Sequence, residues 1–204
     1  MKERPILMNG AMVRAVLDGS KTQTRRVIKP QPQMVTDRHI EPWQGDPAAL
    51  LSLLAESGRK CPYGQAGDRI WVRETFCMDD NGHEEWPIFR ADGAELPQRQ
   101  PTRKPARWTP SIHMPRWASR ILLEIVSVRV ERLQDISDAD IVAEGIDMEA
   151  LAESQDRYDI VCKGTDTSGR ATERSAWRDL WESTGGCWDS NPWCWAITFK
   201  RVTR

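Results

Sequence analysis

The chain has 204 residues, which is enough to bury one substantial core, so a single domain (residues 1–204) with insertions is expected rather than two domains. Its 29 basic and 30 acidic residues give a formal net charge of −1, which excludes a polybasic nucleic-acid coat and confines any nucleic-acid site to a local patch. Five cysteines without a CxxC pair and three scattered histidines offer no zinc spacing, so no metal or other cofactor is predicted and reduced thiols in a cytoplasmic protein are expected.

The N-terminal segment predicts a strand and then a helix. Residues 4–8 fit a short strand, Asn9 fits a helix N-cap, and Gly19 fits the residue that ends the helix. Between these two positions, apolar residues recur at helical spacing: Met12, Val13, Val16 and Leu17.

The next segment, D-G-S-K-T-Q-T-R-R over residues 18–26, concentrates cations and hydroxyls in what its sequence predicts to be a short turn. Ammonium, guanidinium and hydroxyl groups together suit recognition of a nucleotide phosphate or base. The candidate site residues here are Lys21, Thr24, Arg25 and Arg26. The alternative is a solvated surface turn, which is the ordinary role of a basic turn.

Residues 67–76 (G-D-R-I-W-V-R-E-T-F) give a clear strand pattern, with Trp71 and Arg73 on one face and Glu74 on the apolar face. A carboxylate on an apolar face must have a partner or a shifted pKa. Glu74 is therefore either functional or forms a structural ion pair with an arginine such as Arg25, Arg26 or Arg73.

Residues 79–116 are expected to be rich in loops. At their end, the sequence Q-R-Q-P-T-R-K-P-A-R-W-T-P-S-I-H-M-P-R-W-A-S-R interleaves basic and aromatic residues, among them Arg103, Lys104, Arg116 and Trp117. Such a mixture suits a single-stranded nucleic acid through phosphate pairing and base stacking. A proline-rich loop with solvated charges is the alternative.

The C-terminal half predicts a long strand over 120–131, followed by a short helix that Ser137 begins and Gly145 ends. Glu144 falls in the last turn of that helix, where the helix dipole disfavours a carboxylate, so it needs a compensating cation or has a function unless it is simply exposed. A second helix follows, with Trp177, Leu180 and Trp181 on one face and Gly185 at its end, and residues 193–199 alternate as a final strand.

Three segments have the composition of insertions: residues 31–66, 79–116 and 146–172. No stretch has the length and apolarity of a signal peptide or a membrane span, so no membrane partner is predicted. The sequence does not predict an oligomeric state.

The motifs and their order resemble those of the ASCH domain family: a helix, G-S-K-T-Q-T-R-R, a G-D-R-I-W-V strand, L-Q-D-I-S-D-A-D-I-V-A-E-G-I and a C-terminal W-x-W-x-I-x-F strand. The longer signatures K-P-Q-P, W-V-R-E-T-F and S-I-H-M-P-R-W-A-S-R are similar to the phage and prophage branch, which implies the cytoplasm of a bacterial host. ASCH domains resemble PUA domains, so the resemblance implies an α+β fold: a small PUA-like β-barrel with packed helices and several loop insertions.

The resemblance also implies function. It implies binding of RNA or of a modified nucleoside in a cleft beside the K-T-x-T loop. One small bacterial branch consists of amidohydrolases that remove the acyl group from N4-acetylcytidine, and its catalytic set maps by motif onto Lys21, Thr24 and Glu144. Another member is reported as a ribonuclease. This chain departs from the small amidohydrolases in being about twice their size and in having Arg25 where they carry an apolar residue.

We therefore expect an RNA or modified-nucleoside binding protein, with N-acyl nucleobase hydrolysis as the first alternative and metal-dependent cleavage of single-stranded RNA as the second. In the hydrolase, Lys21 would be the base, Thr24 would be the nucleophile or orient a water, and Glu144 would protonate the leaving amine. In a protein that only binds, phosphates would be held by Lys21, Arg25 and Arg26. A base would stack on Trp71 or Trp117. The expected ligand-binding residues are Arg25, Arg26, Trp71, Arg73, Glu74, Arg116 and Trp117.

Overall fold

The computed structural model describes residues 1–35, 40–81, 83–98, 105–162 and 169–202, and within them the fold is mixed α+β, as predicted. The strands are β1 (Glu3–Leu7), β2 (Gln23–Val27), β3 (Gln33–Val35), β4 (Ile40–Pro42), β5 (Arg69–Arg73), β6 (Phe76–Asp80), β7 (Glu85–Phe89), β8 (Leu122–Arg132) and β9 (Trp193–Arg201). The helices are α1 (Gly10–Asp18), α2 (Pro47–Glu56), α3 (Asp138–Ala143), α4 (Met148–Cys162) and α5 (Glu173–Ser183). Short 3-10 turns lie at Arg90–Asp92, Ser111–His113, Arg116–Ala118 and Leu133–Asp135.

Five strands form one mixed sheet in the order β1-β5-β8-β9-β2. The pairing of β1 with β5 is parallel, whereas β5 pairs antiparallel with β8 and β2 pairs antiparallel with β9. Two hairpins, β3–β4 and β6–β7, form separate two-stranded sheets. Closing a barrel requires the edge strands to pair. Because β1 and β2 remain edges of an open sheet, the described strands do not form the closed barrel that the resemblance implied.

The chain divides into two compact units, each assembled from separate stretches of sequence. The first unit comprises Met1–Gly19, Cys61–Ser127 and Phe199–Arg204. The second unit comprises Ser20–Lys60 and Val128–Thr198. The single domain expected from the sequence stays a prediction.

In the first unit, the local signals around α1 behave as predicted. The Asn9 side chain accepts a hydrogen bond from the backbone N–H of Met12 at 2.9 Å and caps the helix. Gly19 ends the helix with a φ of 90°, a left-handed conformation that glycine adopts at little cost.

The predicted strand over residues 67–76 is shorter in the structure. Strand β5 ends at Arg73, and β6 begins separately at Phe76. At the break, the backbone N–H of Glu74 donates to the Sδ of Met114. The carbonyl of Thr75 accepts from the N–H of Arg90. Both groups thus bond outside the β5 ladder, which ends the strand.

In the second unit, the basic segment is mostly strand rather than turn. β2 starts at Gln23 and pairs with β9 from Gln23 opposite Thr198 to Val27 opposite Cys194. Residues 24–26 therefore lie in the sheet, and the expected short turn covers only the residues before β2. The ladder with β9 satisfies backbone groups that a turn would leave to water.

Apolar residues from several elements form the core of the second unit. Its buried members are Leu133, Ile136, Ile141, Ile146, Trp177, Trp181 and Cys194. The predicted tryptophan face of α5 is confirmed, since Trp177 and Trp181 are buried with ring centroids 5.8 Å apart. The core fixes α3 and α5 against each other and so holds the end of α3 in place.

Of the helices in the described ranges, none has both the length and the apolarity that a bilayer crossing needs.

Candidate functional site

The start of β2 and the end of α3 meet in the second unit. Ser137 caps α3 by accepting from the N–H of Asp140, and Gly145, with a φ of 82°, ends the helix just after Glu144. The N–H of Thr22 donates to the carbonyl of Ala143 at 2.8 Å, and Lys21 and Glu144 form an isolated β-bridge. The cap, the glycine and the bridge together fix the position of the Glu144 side chain.

Lys21 and Glu144 form a buried ion pair. The Nζ of Lys21 donates to the Oε2 of Glu144 at 2.7 Å and to the Glu144 carbonyl at 2.7 Å. Their side chains are 0% and 2% exposed. Burial lowers the pKa of Lys21 from its ordinary value, and the neighbouring Glu144 opposes this shift without cancelling it. Glu144 therefore has the compensating cation that its position at the helix end requires. This cation is a lysine whose pKa lies below its ordinary value.

Arg25 holds three carboxylates at once. Its Nη1 donates to the Oε1 of Glu144 at 3.2 Å, and its Nη2 donates to Glu131 at 2.6 Å and to Asp140 at 2.9 Å. Burial opposes the charge of Arg25, but its carboxylate neighbours, Glu144 first, outweigh burial and raise its pKa. Gln23 accepts from the same Nη1 at 2.5 Å and so fixes the guanidinium plane.

Arg129 closes the outer side of the network. It donates to Glu131 at 2.7 Å and to Asp140 at 2.8 Å, and its side chain is 43% exposed. Three cations thus face three carboxylates, so the formal charges balance. We call this set the Arg25 cluster: Lys21, Gln23, Arg25, Arg129, Glu131, Asp140 and Glu144.

The structure separates Thr24 from the face that carries this cluster. Thr24 is buried and lies opposite Ile197 in the β2–β9 ladder. Because side chains alternate along a strand, Thr24 leaves β2 on the face opposite Gln23 and Arg25. The structure thus brings Lys21, Arg25 and Glu144 together, and the role of Thr24 stays a prediction. Arg26, which follows Arg25 on β2, is half-buried.

Sequence reasoning missed four members of the cluster, Gln23, Arg129, Glu131 and Asp140, although two spacings could have indicated the last three. Arg129 and Glu131 alternate on one face of β8, and Asp140 precedes Glu144 by one helical turn. Each spacing places charged groups on one face of an element. Neither spacing says that the two faces meet.

The other predicted site residues lie in the first unit, where Glu74 is buried as expected. Its partner is Arg120 and not Arg25, Arg26 or Arg73. Arg120 donates to both oxygens of Glu74 at 2.9 Å and to both oxygens of Asp92 at 2.7 Å. Burial opposes the charge of Arg120, but its hydrogen bonds to these carboxylates raise its pKa. We call Glu74, Asp92 and Arg120 the Arg120 cluster.

The aromatic candidates in the first unit differ in exposure. Trp71 is buried, with the guanidinium of Arg73 lying 4.8 Å and that of Arg116 5.8 Å from its ring centroid. Trp117 is 67% exposed. Trp117 is therefore open to stack a base, whereas Trp71 is already covered. The expected Arg103 and Lys104 lie outside the described residues.

Within the described parts of the chain, no three His, Cys, Asp or Glu side chains are grouped so as to hold a metal ion. Comparison of the chain with protein-family models, with curated proteins and with solved structures found no match. Membership of the ASCH family stays a prediction that rests on the motifs.

Proposed function

We propose that this chain binds a modified nucleoside, free or within RNA, and hydrolyses an exocyclic N-acyl group on its base with Lys21 and Glu144. The observation that carries the proposal is the buried contact at 2.7 Å between the Lys21 Nζ and the Glu144 carboxylate. Burial lowers the pKa of Lys21. A lysine that gives up its proton more readily, next to a carboxylate, is suited to acid–base chemistry.

Phosphate recognition by the same residues has less support. Lys21 and Arg25 are buried, and the Lys21 Nζ and both Arg25 Nη atoms already donate to carboxylates. A phosphate would have to displace these carboxylates while paying for its own loss of hydration. The cluster therefore fits a neutral amide better than an anion.

Proton transfers in the proposed reaction follow from this geometry. Neutral Lys21 takes a proton from a water molecule as the oxygen of that water attacks the acyl carbon. Glu144 relays that proton from Lys21 to the departing exocyclic amine as the bond between the acyl carbon and this nitrogen breaks, and the products are a carboxylic acid and the deacylated base. Because Thr24 leaves β2 on the other face, we assign the nucleophile to water. Because the Lys21 side chain is fully buried, a substrate can reach it only if neighbouring residues move. Ser20 and Thr22, which flank Lys21 in the sequence, are exposed.

The test follows the ultraviolet spectrum of N4-acetylcytidine during incubation with the purified chain. Lys21→Met should lower turnover by about 100-fold or more, because the base is lost. Lys200→Met is the matched control, since Lys200 also pairs with a glutamate at 2.9 Å but is 63% exposed. We expect Lys200→Met to leave turnover unchanged.

Three outcomes would contradict parts of this proposal. Absence of turnover by the wild-type chain would contradict the hydrolase. Loss of turnover in Thr24→Val would contradict the assignment of water as nucleophile. Degradation of single-stranded RNA that a chelator stops would favour the nuclease instead.

RNA binding at the first unit is a second candidate, favoured by one specific observation. Trp117 is largely exposed and directly follows Arg116, so an aromatic face and a cation are adjacent. Stacking of one base on an aromatic side chain contributes roughly 1–3 kcal/mol. Trp117→Ala should therefore weaken binding of a labelled single-stranded RNA about five- to 150-fold in fluorescence polarisation, and Trp86→Ala on β7 is the control. Equal affinities for the two variants would contradict this candidate.

A further inference from the structure

Arg25 and Lys21 share the carboxylate of Glu144, one oxygen each. Arg25 donates to Oε1 at 3.2 Å, and Lys21 donates to Oε2 at 2.7 Å. The Nη1 and Nη2 atoms of Arg25 also donate to Gln23, Glu131 and Asp140. Its position is thus fixed by β8, α3 and β2 independently of Lys21.

We propose that Arg25 is a positioning residue that holds the Glu144 carboxylate by one oxygen and so limits how strongly the other oxygen holds the Lys21 ammonium. This inference rests on the proposed function of the Lys21–Glu144 pair. A carboxylate shared by two cations stabilises each of them less than one that serves a single cation. Arg25 also repels the Lys21 ammonium directly. Both effects raise the fraction of Lys21 that is unprotonated and able to accept a proton.

Charged and titratable groups from several elements interact with Lys21 or with its partners Arg25 and Glu144. Arg25 and Arg26 lie on β2, Asp140 is on α3 with Glu144 at its end, Arg129 and Glu131 lie on β8, and Cys194 lies on β9. Burial raises the pKa of the Cys194 thiol to about 12, so that group stays neutral near pH 7. Among the cations, Arg25 and Arg129 make the same kinds of contact with Glu131 and Asp140. Of the two, Arg25 is the one that also contacts Glu144.

This difference provides a matched pair of variants. Arg25→Met with Glu131→Gln, and Arg129→Met with Glu131→Gln, each remove one cation and one carboxylate, so both keep the cluster balanced. They differ in whether Glu144 loses a partner. The readout is the titration of Lys21, followed by NMR of chains labelled with 13Cε-lysine and assigned with Lys21→Met.

We call the first double variant (Arg25→Met with Glu131→Gln) the Arg25 pair and the second (Arg129→Met with Glu131→Gln) the Arg129 pair. We expect the pKa of Lys21 to be about one unit higher in the Arg25 pair than in the Arg129 pair. Equal Lys21 titrations in the two pairs would overturn the proposal, because net charge and not contact would then control the lysine. The single variant Arg25→Met should shift Lys21 in the same direction. If neither Arg25→Met nor the double variant with Glu131→Gln folds, Arg25 is required for folding, and this result would also overturn the proposal.

A kinetic readout separates this inference from the proposed function. Where the wild-type chain turns over an N-acyl nucleoside, the acidic limb of its pH–rate profile should move to higher pH in the Arg25 pair. If the wild-type chain has no turnover, the proposed function fails, and the NMR titration alone still decides the role of Arg25.

Discussion

The Arg25 cluster and the Arg120 cluster are each built around an arginine that binds a buried glutamate, yet they treat that glutamate differently. Arg120 takes both oxygens of Glu74 in a bidentate pair, stacks 4.0 Å from the Phe89 ring centroid and is 27% exposed. Arg25 is wholly buried and takes one oxygen of Glu144. The other oxygen of Glu144 binds Lys21.

The difference separates a structural ion pair from a candidate reactive one. Both oxygens of Glu74 are engaged by an arginine, which keeps its proton at any ordinary pH. Glu144 shares an oxygen with a lysine whose pKa burial lowers, so a proton can move between them. A buried carboxylate alone is therefore weak support for function, and the identity of its cation is the stronger signal.

Removing the Glu144 carboxylate should have the largest effect. Glu144→Gln leaves Lys21 buried without its carboxylate and takes one contact from Arg25, so the free energy of unfolding should fall by about 3–5 kcal/mol. Urea unfolding followed by tryptophan fluorescence measures the loss. The control is Glu124→Gln, whose partner Lys200 is exposed and which should lose less than about 1 kcal/mol. A similar loss of unfolding free energy in both variants would show that burial does not strengthen the Lys21–Glu144 pair.

Glu74→Gln should come next. Arg120 keeps both hydrogen bonds to Asp92 and remains partly in water, so the cation is not left alone. We expect the free energy of unfolding to fall by about 2–3 kcal/mol, chiefly because a charged bidentate pair is lost. Urea unfolding at the same pH measures it. A loss larger than that of Glu144→Gln would reverse the ranking of the two clusters.

Structural features that depend on a few neighbouring residues could be predicted from the sequence. Asn9 and Ser137 cap their helices, and Gly19 and Gly145 end them, because each of these roles depends on local backbone geometry. The position of Glu144 at a helix end, and its need for a cation, followed from the same kind of signal.

What depends on register between distant segments could not be predicted. Arg120 is 46 residues from Glu74, and no local pattern selects it over the adjacent Arg73. The segment around Arg25 carries no apolar alternation, so its strand character comes from pairing with β9 and from the charged network on one face. The expectation of a closed barrel was wrong for a related reason, because the motifs indicate strands but do not specify which edge strands pair.

The pH dependence of stability tests the Lys21 side of the comparison. In the folded chain the pKa of Lys21 lies below its ordinary value of 10.5. At a pH between the folded pKa of Lys21 and 10.5, this lysine is protonated in a larger fraction of unfolded chains than of folded chains. The free energy of unfolding should therefore rise with pH relative to Lys21→Met, by up to about 1.4 kcal/mol per unit.

Urea unfolding at pH 7, 8, 9 and 10 and constant ionic strength checks this prediction. Below the folded pKa of Lys21 the difference between the two chains should stay constant. Parallel curves for the wild-type chain and Lys21→Met across the range would mean that Lys21 titrates alike in both states. The chemical distinction between the two clusters would then be lost.

Asp92→Asn should have the smallest effect. Asp92 is the exposed partner of Arg120, and Arg120 would keep its bidentate pair with Glu74. An exposed ion pair contributes about 0–1 kcal/mol and is screened by salt, so the loss should stay under about 1 kcal/mol and shrink in 1 M NaCl. Urea unfolding at low and high salt measures both quantities. A loss equal to that of Glu74→Gln, insensitive to salt, would mean that Asp92 and Glu74 share the cation as Lys21 and Arg25 share Glu144. The Arg120 cluster would then be a coupled network and not a buried pair with a solvated neighbour.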